Sequence, residues 1–329
     1  MGLESLKGRR ALVTGGAGTI GSHIVDQLVG AGAAHITVLD NLAAGRRDHL
    51  PDDDVVQFVQ GDIRNRDLVA RLTREVDVVF HQAGPPSSRC AEDPRLAVQV
   101  MVDGTCNVLE GAVAGRVKKV VAASAGSFYG AAEPWPATEG PPASGSETIY
   151  ETAMVLTEGL LHSFHRMYGL DCVALRYFDV YGPRMKAHGA GADVLASWIE
   201  RISAGRPPVI KGTGVQTMDF VFTDDVARAN LLAAESDVTD EVLDVASGVE
   251  TSLLELAQRL LRAMNSDLYI EFGPSRVPGK VVRRLPDPSA AHARLGFRAE
   301  IGLDRGLRRL VEWWRAERST ASPALAATG

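Results

Sequence analysis

Short apolar runs alternate with amphipathic segments along the first 180 residues of the chain. The apolar runs predict strands at 10–14, 35–40, 55–61, 76–81, 117–123 and 172–180. Apolar residues at helical spacing predict intervening helices at 20–29, 66–73, 94–113 and 156–167. Strands and helices that alternate in this way form right-handed crossovers, so we predict an α/β fold with a doubly wound parallel sheet.

The pattern changes after Gly182 and Pro183. Short predicted strands at 209–210, 219–222 and 268–272 mix with predicted helices at 225–234, 252–264 and 303–315. This mixture is typical of a smaller α+β lobe. We therefore predict a first domain over 1–183, with strand contributions from later residues, and a second lobe over 184–318. The small and polar residues of 319–329 predict a flexible tail.

Composition narrows the class of protein and of ligand. The 329 residues are 45% hydrophobic and 23% charged, as in globular proteins, and their net charge of −6 provides no overall positive field for nucleic acid or an anionic membrane. The three cysteines, Cys90, Cys106 and Cys172, form no Cys-x-x-Cys pair, so we predict neither a disulfide framework nor a metal site. Because the sequence shows no signal-peptide core and no membrane-length apolar stretch, we predict a cytoplasmic protein.

A glycine-rich turn joins the first predicted strand to the first predicted helix. It reads GGAGTIG over residues 15–21, a spacing that lets backbone amides and a helix N-terminus bind a pyrophosphate. Asp40 ends the second strand 19 residues after Gly21, where a carboxylate can accept hydrogen bonds from an adenosine ribose. Together they predict a Rossmann-like domain that binds NAD. Arg46 or Arg47 is a candidate partner for the 2′-phosphate of NADP, but Asp40 would repel that phosphate.

Other residues at the ends of predicted strands extend the candidate cofactor site. Asp62 and Ile63 resemble the adenine-contacting residues of nucleotide-binding folds, and Asp62 is equally well placed to cap the next helix. Small residues after His81 allow a cofactor to approach the backbone, whereas His81 itself is more typical of a structural strand-end histidine. The predicted cofactor contacts in this half are Gly15, Gly18, Thr19, Ile20, Gly21, Asp40, Asn41, Asp62, Ile63 and Ala83.

Further motifs carry the pattern into the second half of the chain. They are SAGSFYG at 124–130, Tyr150, RYFDVYGPR at 176–184, QTMDF at 216–220 and LGF at 295–297. With the glycine turn, they resemble the extended short-chain dehydrogenase/reductase family, specifically its NAD-dependent nucleotide-sugar epimerases and dehydratases, over residues 9 to 316. The resemblance implies NAD in the first domain, a nucleoside-diphosphate sugar in the second lobe, and transient oxidation of the sugar followed by return of the hydride. It also implies a homodimer formed through the helices at 94–113 and 156–167.

The sequence departs from this family at its reaction centre. The family has a Tyr-x-x-x-Lys motif, but Met154 stands at the lysine position after Tyr150. Ala125, four residues before Tyr129, stands where the family has Ser or Thr. Three more departures are Met101 for Asn, Asp179 for Asn, and Met218 for an arginine that binds diphosphate. Arg276 resembles a second diphosphate-binding arginine, and the candidates to compensate for Met218 are Lys280, Arg283 and Arg284.

These departures change the acid–base chemistry expected of Tyr150, which the resemblance also places beside the cofactor. A phenol has an ordinary pKa of about 10, and the family lysine lowers it, which Met154 cannot do. We expect Tyr150 to be mostly protonated and to act as a proton donor. Asp179 is the preferred candidate base, because the resemblance directs its strand end toward the substrate cleft; the other candidates are Glu151, His162, His165, Lys186 and His188. The predicted substrate contacts are Ser124, Ser127, Asp179, Arg184 and Arg276.

The sequence therefore predicts an NAD-dependent nucleotide-sugar-modifying enzyme of the epimerase, dehydratase or related oxidoreductase type, with an atypical active site. One alternative keeps the fold but performs redox-neutral chemistry, such as cyclisation, elimination or isomerisation, on another substrate. A second alternative is a noncatalytic NAD-binding partner, in which the reaction centre has decayed.

Overall fold

A seven-stranded parallel sheet forms the centre of the protein. The computed structural model describes residues 5–126, 148–185, 194–274 and 286–326. In order across the sheet, the strands are β3 (Val56–Gln60), β2 (His35–Asp40), β1 (Arg10–Thr14), β4 (Val78–His81), β5 (Lys119–Ala125), β6 (Cys172–Tyr177) and β10 (Glu241–Val245). The inner strands β4 and β6 are buried along their whole length, as expected when helices cover both faces of a parallel sheet. The predicted fold class is confirmed.

Helices cover both faces of this sheet. On one face, α1 (Thr19–Gly30), α8 (Thr223–Glu235) and α10 (Ser289–Leu295) share a buried core with the strands. On the other face, α2 (Arg66–Leu72), α5 (Thr105–Gly115) and α6 (Ile149–Tyr168) form a second core. A short 3-10 turn (Arg47–His49) follows β2. Strand order reverses between β1 and β4, which opens a crevice at the carboxyl ends of these strands.

The segment before α5 is not the single helix that the spacing at 94–113 predicts. It consists of α3 (Ser87–Glu92), α4 (Pro94–Ala97) and a π-helical segment (Val98–Gly104) that runs directly into α5. The carboxylate of Asp93 caps α4 by accepting hydrogen bonds from two backbone N–H groups. Apolar spacing does not distinguish an α-helix from a π-helical segment of this length, because both keep one face toward the core.

The second lobe has its own apolar core. A three-stranded sheet contains β7 (Asp179–Tyr181), β9 (Thr217–Phe222) and β11 (Glu250–Ser252), and a two-stranded sheet contains β8 (Val209–Lys211) and β12 (Glu271–Gly273). The helices α7 (Val194–Ser203), α9 (Leu253–Met264) and α11 (Leu303–Ala326) pack around these strands. Their shared core includes Tyr181, Trp198 and Phe222, each at most 1% exposed.

Among the predictions that differ from the structure, three concern how the second half of the chain is divided. The strand predicted at 172–180 divides at Phe178 into β6 and β7, which belong to different sheets. The helix predicted at 225–234 is α8, and it packs on α1 and the central sheet rather than in the second lobe. The helix predicted to end at 315 continues to Ala326, within the segment predicted as a tail.

Two further observations concern only these described ranges. None of their helices has the length and apolar character needed to cross a lipid bilayer. They also contain no group of three or more His, Cys, Asp or Glu side chains arranged to share a metal ion. Cys90, Cys106 and Cys172 are free thiols.

The packing of β4 generates a test of the central core. Phe80 is fully buried in this strand, whereas Phe272 of β12 is 56% exposed. Replacing a buried phenylalanine by alanine removes apolar contacts and leaves a cavity, so we expect Phe80→Ala to lower the free energy of unfolding by about 3–5 kcal/mol. Phe272→Ala is the matched control and should change it by less than about 0.5 kcal/mol. Equal effects of the two substitutions in urea titrations would contradict this view of the core.

Candidate active site

The glycine turn is shaped by contacts too close for side chains. Gly15 has a φ of +67°, and an added Cβ would lie 2.7 Å from the backbone nitrogen of Ala83. A Cβ on Gly21 would lie 2.3 Å from the Gly15 carbonyl oxygen. At Gly18, by contrast, that carbonyl oxygen at 3.2 Å is the single described atom within 4 Å of an added Cβ. The absence of side chains at Gly15 and Gly21 therefore permits the turn to close, and Gly18 leaves the outer side of the turn open to a ligand.

Asp40 lies beside this turn at the end of β2. Its carboxylate accepts hydrogen bonds from the backbone N–H of Ala17 at 3.0 Å and of Leu42 at 2.7 Å. Because each carboxylate oxygen has two acceptor positions, further hydrogen bonds to a ligand are available. α1 begins directly after Gly18, so its first N–H groups and the positive end of its dipole meet the open side of the turn. This arrangement can hold a pyrophosphate and an adjacent ribose.

A polar cavity opens beyond Asp40, at the end of β3. It has a volume of about 520 Å³ and is lined by Asp62, Arg64, Asn65, Gln99 and Asp103. The Arg64 guanidinium donates two hydrogen bonds to the Asp62 carboxylate, and with the Asn41 amide it lowers the pKa of Asp62 to about 2. The neighbouring Ile63 is 4% exposed. Asn65, and not Asp62, caps α2, so the capping alternative for Asp62 is wrong.

Tyr150 lies in the first turn of α6 and packs in an apolar cluster, called here the Tyr150 cluster. Its buried members are Cys90, Ala97, Met101, Ala125, Ala153 and Met154. Burial, with smaller effects of Cys90 and Glu151, raises the pKa of the phenol well above its ordinary value. Among the residues that the structure describes, the Tyr150 hydroxyl makes no hydrogen bond. Met101, Ala125 and Met154, predicted separately as departures, thus meet around one phenol.

The start of α6 is fixed by a capping box. Glu151 N–H donates to Thr148 Oγ1 at 3.2 Å, and Thr148 N–H donates to Glu151 Oε2 at 3.1 Å. These reciprocal bonds satisfy two backbone donors at the start of the helix. Tyr150 lies between Thr148 and Glu151 in the sequence, so the capping box fixes the turn that carries it. They also occupy Glu151, one of the candidate bases, with a structural role.

A buried ion pair holds α6 against the sheet two turns after Tyr150. Arg176 on β6 donates to Glu158 through Nε and Nη2, both at 2.8 Å, and these side chains are 5% and 11% exposed. Ser124 Oγ donates to the same carboxylate at 2.6 Å. Ser124 is therefore directed toward Glu158 beneath the helix, and its predicted contact with substrate remains a prediction.

The chain after β7 is tied to α1 at its first residue and near its middle. Arg184 has a φ of +64°, its guanidinium pairs with Asp26 at 2.6 Å, and its carbonyl oxygen accepts a hydrogen bond from Thr19 Oγ1 at 3.0 Å. Asp179 begins β7 and pairs in register with Phe220 of β9, the strand that also carries Met218. The candidate base therefore lies on a short strand, and Arg184, three residues after that strand, contacts α1.

His81 ends β4 and is 4% exposed. Nδ1 lies 2.7 Å from Thr14 Oγ1, and Nε2 lies 3.0 Å from Thr105 Oγ1. Burial lowers the pKa of His81 to about 4, so the imidazole is neutral near pH 7. This agrees with the structural role expected from the sequence.

Comparison with known families decides the class of protein. The sequence profile of the NAD dependent epimerase/dehydratase family matches residues 11–246, which is more than half of the chain. The chain belongs to this family.

Known members of the NAD-dependent epimerase/dehydratase family match along almost the whole chain. A UDP-glucose 4-epimerase of Mycolicibacterium smegmatis is 36% identical over 312 residues, which cover 93% of this chain and 98% of that protein. The structure of a UDP-N-acetylglucosamine 4-epimerase from Methanobrevibacter ruminantium, in complex with UDP-N-acetylmuramic acid, has 32% identity and a TM-score of 0.89, covering 94% of this chain and 99% of the other. A dTDP-glucose 4,6-dehydratase from Streptomyces venezuelae, solved with NAD, has 30% identity and a TM-score of 0.86, covering 94% and 98%.

The predicted enzyme class and the predicted cofactor are confirmed by this membership. The residues present also fit NAD, because the open side of Gly18, the first turn of α1 and the free acceptor positions of Asp40 suit a pyrophosphate and a ribose. Individual contacts with cofactor and substrate stay predictions. Several predicted residues lie outside the described ranges: Ser127, Lys186, His188, Arg276, Lys280, Arg283 and Arg284.

Two features of the site were not predicted from the sequence. Cys90 lies on α3 and packs in the Tyr150 cluster, whereas its sequence position indicates only a cysteine without a Cys-x-x-Cys partner. The hydrogen bonds of His81 to Thr14 and Thr105 were also missed. The position of His81 at the end of a predicted strand is a signal that could have indicated these hydrogen bonds. No sequence pattern predicts that Cys90 packs beside Tyr150.

The closeness of Gly21 to Gly15 generates a test of the cofactor site. We expect Gly21→Ala to open the turn and to raise the Kd for NAD at least about tenfold, which corresponds to about 1.4 kcal/mol. Gly30→Ala is the matched control in the same helix, because an added Cβ there has no neighbour within 4 Å. Calorimetric titration with NAD measures both, and unchanged binding by Gly21→Ala would contradict the assignment.

The low pKa of His81 generates a test of stability against pH. The unfolded chain takes up a proton on this histidine below about pH 6.5, whereas the folded chain does so only near pH 4. Stability is therefore lost as the pH falls through this window, by about 2 kcal/mol between pH 7 and pH 5. Urea titrations at both pH values should show a smaller difference for His81→Gln than for the wild type. The same difference in both proteins would refute the neutral buried histidine.

Proposed function

We propose that the protein is an NAD-dependent enzyme that modifies a nucleoside-diphosphate sugar and that Tyr150 acts in it as a protonated phenol. The observation that carries the proposal is the pairing of a complete dinucleotide turn with a phenol that packs among apolar side chains and whose pKa is raised by burial. NAD bound in the turn supplies a hydride acceptor and donor. The relatives named above are, by name, enzymes of UDP- and dTDP-linked sugars, which supports this substrate class.

Tyr150 and Asp179 have different roles in this proposal. The high pKa of the phenol makes Tyr150 a donor of a hydrogen bond or a proton to a substrate oxygen. Removal of a proton from a sugar hydroxyl then needs another group, and Asp179 is our candidate because its strand begins at the crevice end of β6. Ser124, Ser127, Arg184 and Arg276 are the proposed substrate contacts.

The apolar character of the Tyr150 cluster favours a second candidate function. Met101, Ala125 and Met154 surround the phenol with groups that neither lower its pKa nor bind a second substrate oxygen. A redox-neutral reaction, such as an elimination, cyclisation or isomerisation, needs a proton donor but no phenolate base. NAD would then stay oxidised throughout and take no part in a hydride transfer.

We also propose a homodimer with a cytoplasmic location. Residues 1–183, with strand contributions from later residues, would bind NAD, and residues 184–318 would bind the substrate. The π-helical segment and α6 lie side by side, and each has an exposed apolar side chain, Val98 at 42% and Leu156 at 48% exposure. Burial of these side chains by a second copy would remove apolar surface from water. Sedimentation equilibrium measures the assembly directly.

One experiment tests the two candidate functions together. The purified protein is denatured and its supernatant is analysed by mass spectrometry for NAD, and the native protein is then titrated with UDP- and dTDP-hexoses while NADH absorbance is followed. Bound NAD that one sugar nucleotide reduces supports the first function. Conversion of a sugar nucleotide without NADH at any time, under single-turnover conditions, supports the second. Absence of NAD and of conversion would contradict both.

Met154 provides a sharper test of the role of Tyr150. We expect Met154→Lys to place a cation beside the phenol, lower its pKa and raise the rate of NADH formation at least about tenfold if hydride transfer is the reaction. Adding Ala125→Ser should raise the rate further. Met167→Lys is the control, because Met167 lies on the same helix and is 68% exposed. An unchanged rate in the presence of intact NAD binding would count against the first function.

A further inference from the structure

A chain of buried polar groups crosses the protein between the glycine turn and the Tyr150 cluster. Thr14 ends β1, His81 ends β4 and Thr105 begins α5, and these three side chains are 0%, 4% and 1% exposed. Oγ1 of Thr14 is 2.7 Å from Nδ1 of His81, and Oγ1 of Thr105 is 3.0 Å from Nε2. Each ring nitrogen of the histidine therefore faces one hydroxyl.

The direction of every hydrogen bond in this chain follows from its ends. Thr105 Oγ1 donates its single proton to the carbonyl oxygen of Met101 at 2.7 Å, so it must accept the bond from His81 Nε2. Nε2 then carries the proton, and in a neutral ring Nδ1 is an acceptor that receives the Thr14 hydroxyl. Thr14 Oγ1 in turn accepts a bond from Ala83 N–H at 3.4 Å. The geometry selects one tautomer of His81.

Both ends of this series of hydrogen bonds reach the candidate active site. Ala83 contacts the glycine turn, since its backbone nitrogen would lie 2.7 Å from a Cβ on Gly15. Met101 is a buried member of the Tyr150 cluster, and its carbonyl oxygen lies 3.1 Å from Thr157 Oγ1 of α6, whose single proton it shares with the Ala153 carbonyl oxygen at 3.0 Å. The Met101 carbonyl lies in the π-helical segment and so joins the histidine chain to the helix that carries Tyr150.

We propose that His81, as the neutral Nε2–H tautomer, is a positioning residue that fixes the π-helical segment and the Tyr150 cluster relative to the glycine turn. The proposal rests on the proposed function only in taking these two regions as the cofactor and substrate sides of one site. His81 is not a catalytic residue in this account, because it acts through Thr14 and Thr105.

An imidazole suits this position because it offers an acceptor and a donor at the two ends of one rigid ring. Burial keeps it neutral at physiological pH, so that the pattern of donors and acceptors does not change there. Asparagine places its amide near the position of Nδ1 and can retain the bond to Thr14 alone. Glutamine reaches the position of Nε2 and can retain the bond to Thr105 alone. The two substitutions therefore remove different hydrogen bonds of the series: asparagine removes the one to Thr105, and glutamine removes the one to Thr14.

The first measurement is the tautomer itself. Imidazole ¹⁵N spectra of the full-length protein should show His81 with one protonated nitrogen, Nε2, and no change between pH 6 and pH 8. A His81 signal that titrates within this range, or a proton on Nδ1, would overturn the proposal.

The second measurement separates the two arms. Methyl-¹³C methionine spectra report the surroundings of Met101 and Met154, and calorimetric titration with NAD reports the glycine turn. We expect His81→Asn to move both methyl signals and to keep the Kd for NAD within about threefold, whereas His81→Gln should keep the methyl signals and raise the Kd about tenfold, as for one lost hydrogen bond. Equal effects of the two variants on both readouts would indicate a general packing role and overturn the proposal.

Thr105 supplies the control for folding. Thr105→Ser keeps the hydroxyl and should retain the wild-type methyl signals, whereas Thr105→Val removes it with similar volume and should reproduce the shifts of His81→Asn. Identical spectra for the serine and valine variants would also overturn the proposal. None of these readouts uses turnover, so a failure of the sugar-nucleotide assay leaves them interpretable and the two proposals fail separately.

Discussion

The pairing of β1 with β4 is the constraint on which the rest of the site depends. Strand order reverses at this pair, and its last register partners are Thr14 and His81. From Thr14 the chain turns into the glycines and α1, and from His81 it turns the other way toward the π-helical segment. The crevice between these two paths is where a parallel sheet of this topology binds its ligand. Cofactor turn and Tyr150 cluster are therefore two sides of one strand pair.

The apolar residues that replace polar residues of the family pack together in one place, the Tyr150 cluster. Met101 comes from the π-helical segment, Ala125 from the end of β5 and Met154 from α6, yet all three pack together. A single apolar residue among polar ones would leave buried donors or acceptors unsatisfied, which costs about 1–3 kcal/mol for each group. Packing of apolar residues from three elements avoids this cost and keeps the phenol protonated.

The sequence predicted the first domain more accurately than the site. The strands at 10–14 and 35–40 match β1 and β2 residue for residue, because apolar runs bounded by glycine or aspartate are strong local signals. The π-helical segment could not be predicted from apolar spacing, and the contact of its Met101 carbonyl oxygen with Thr157 Oγ1 at 3.1 Å joins residues that are 56 positions apart in the chain. Similarly, the sequence identifies the motif that contains Ser124. It does not show that the Ser124 hydroxyl donates to Glu158 on α6.

The position of β10 has a consequence for how the chain reaches its folded state. This strand is contributed by residues 241–245, after the first part of the second lobe, yet it pairs with β6 at the edge of the central sheet. A nascent chain that has emerged only as far as residue 183 exposes the unpaired backbone of β6 beside apolar side chains. Such an edge can pair with other chains. The nucleotide-binding half therefore cannot complete its sheet during synthesis until the ribosome has also delivered residues 184–245, the first part of the lobe that follows it.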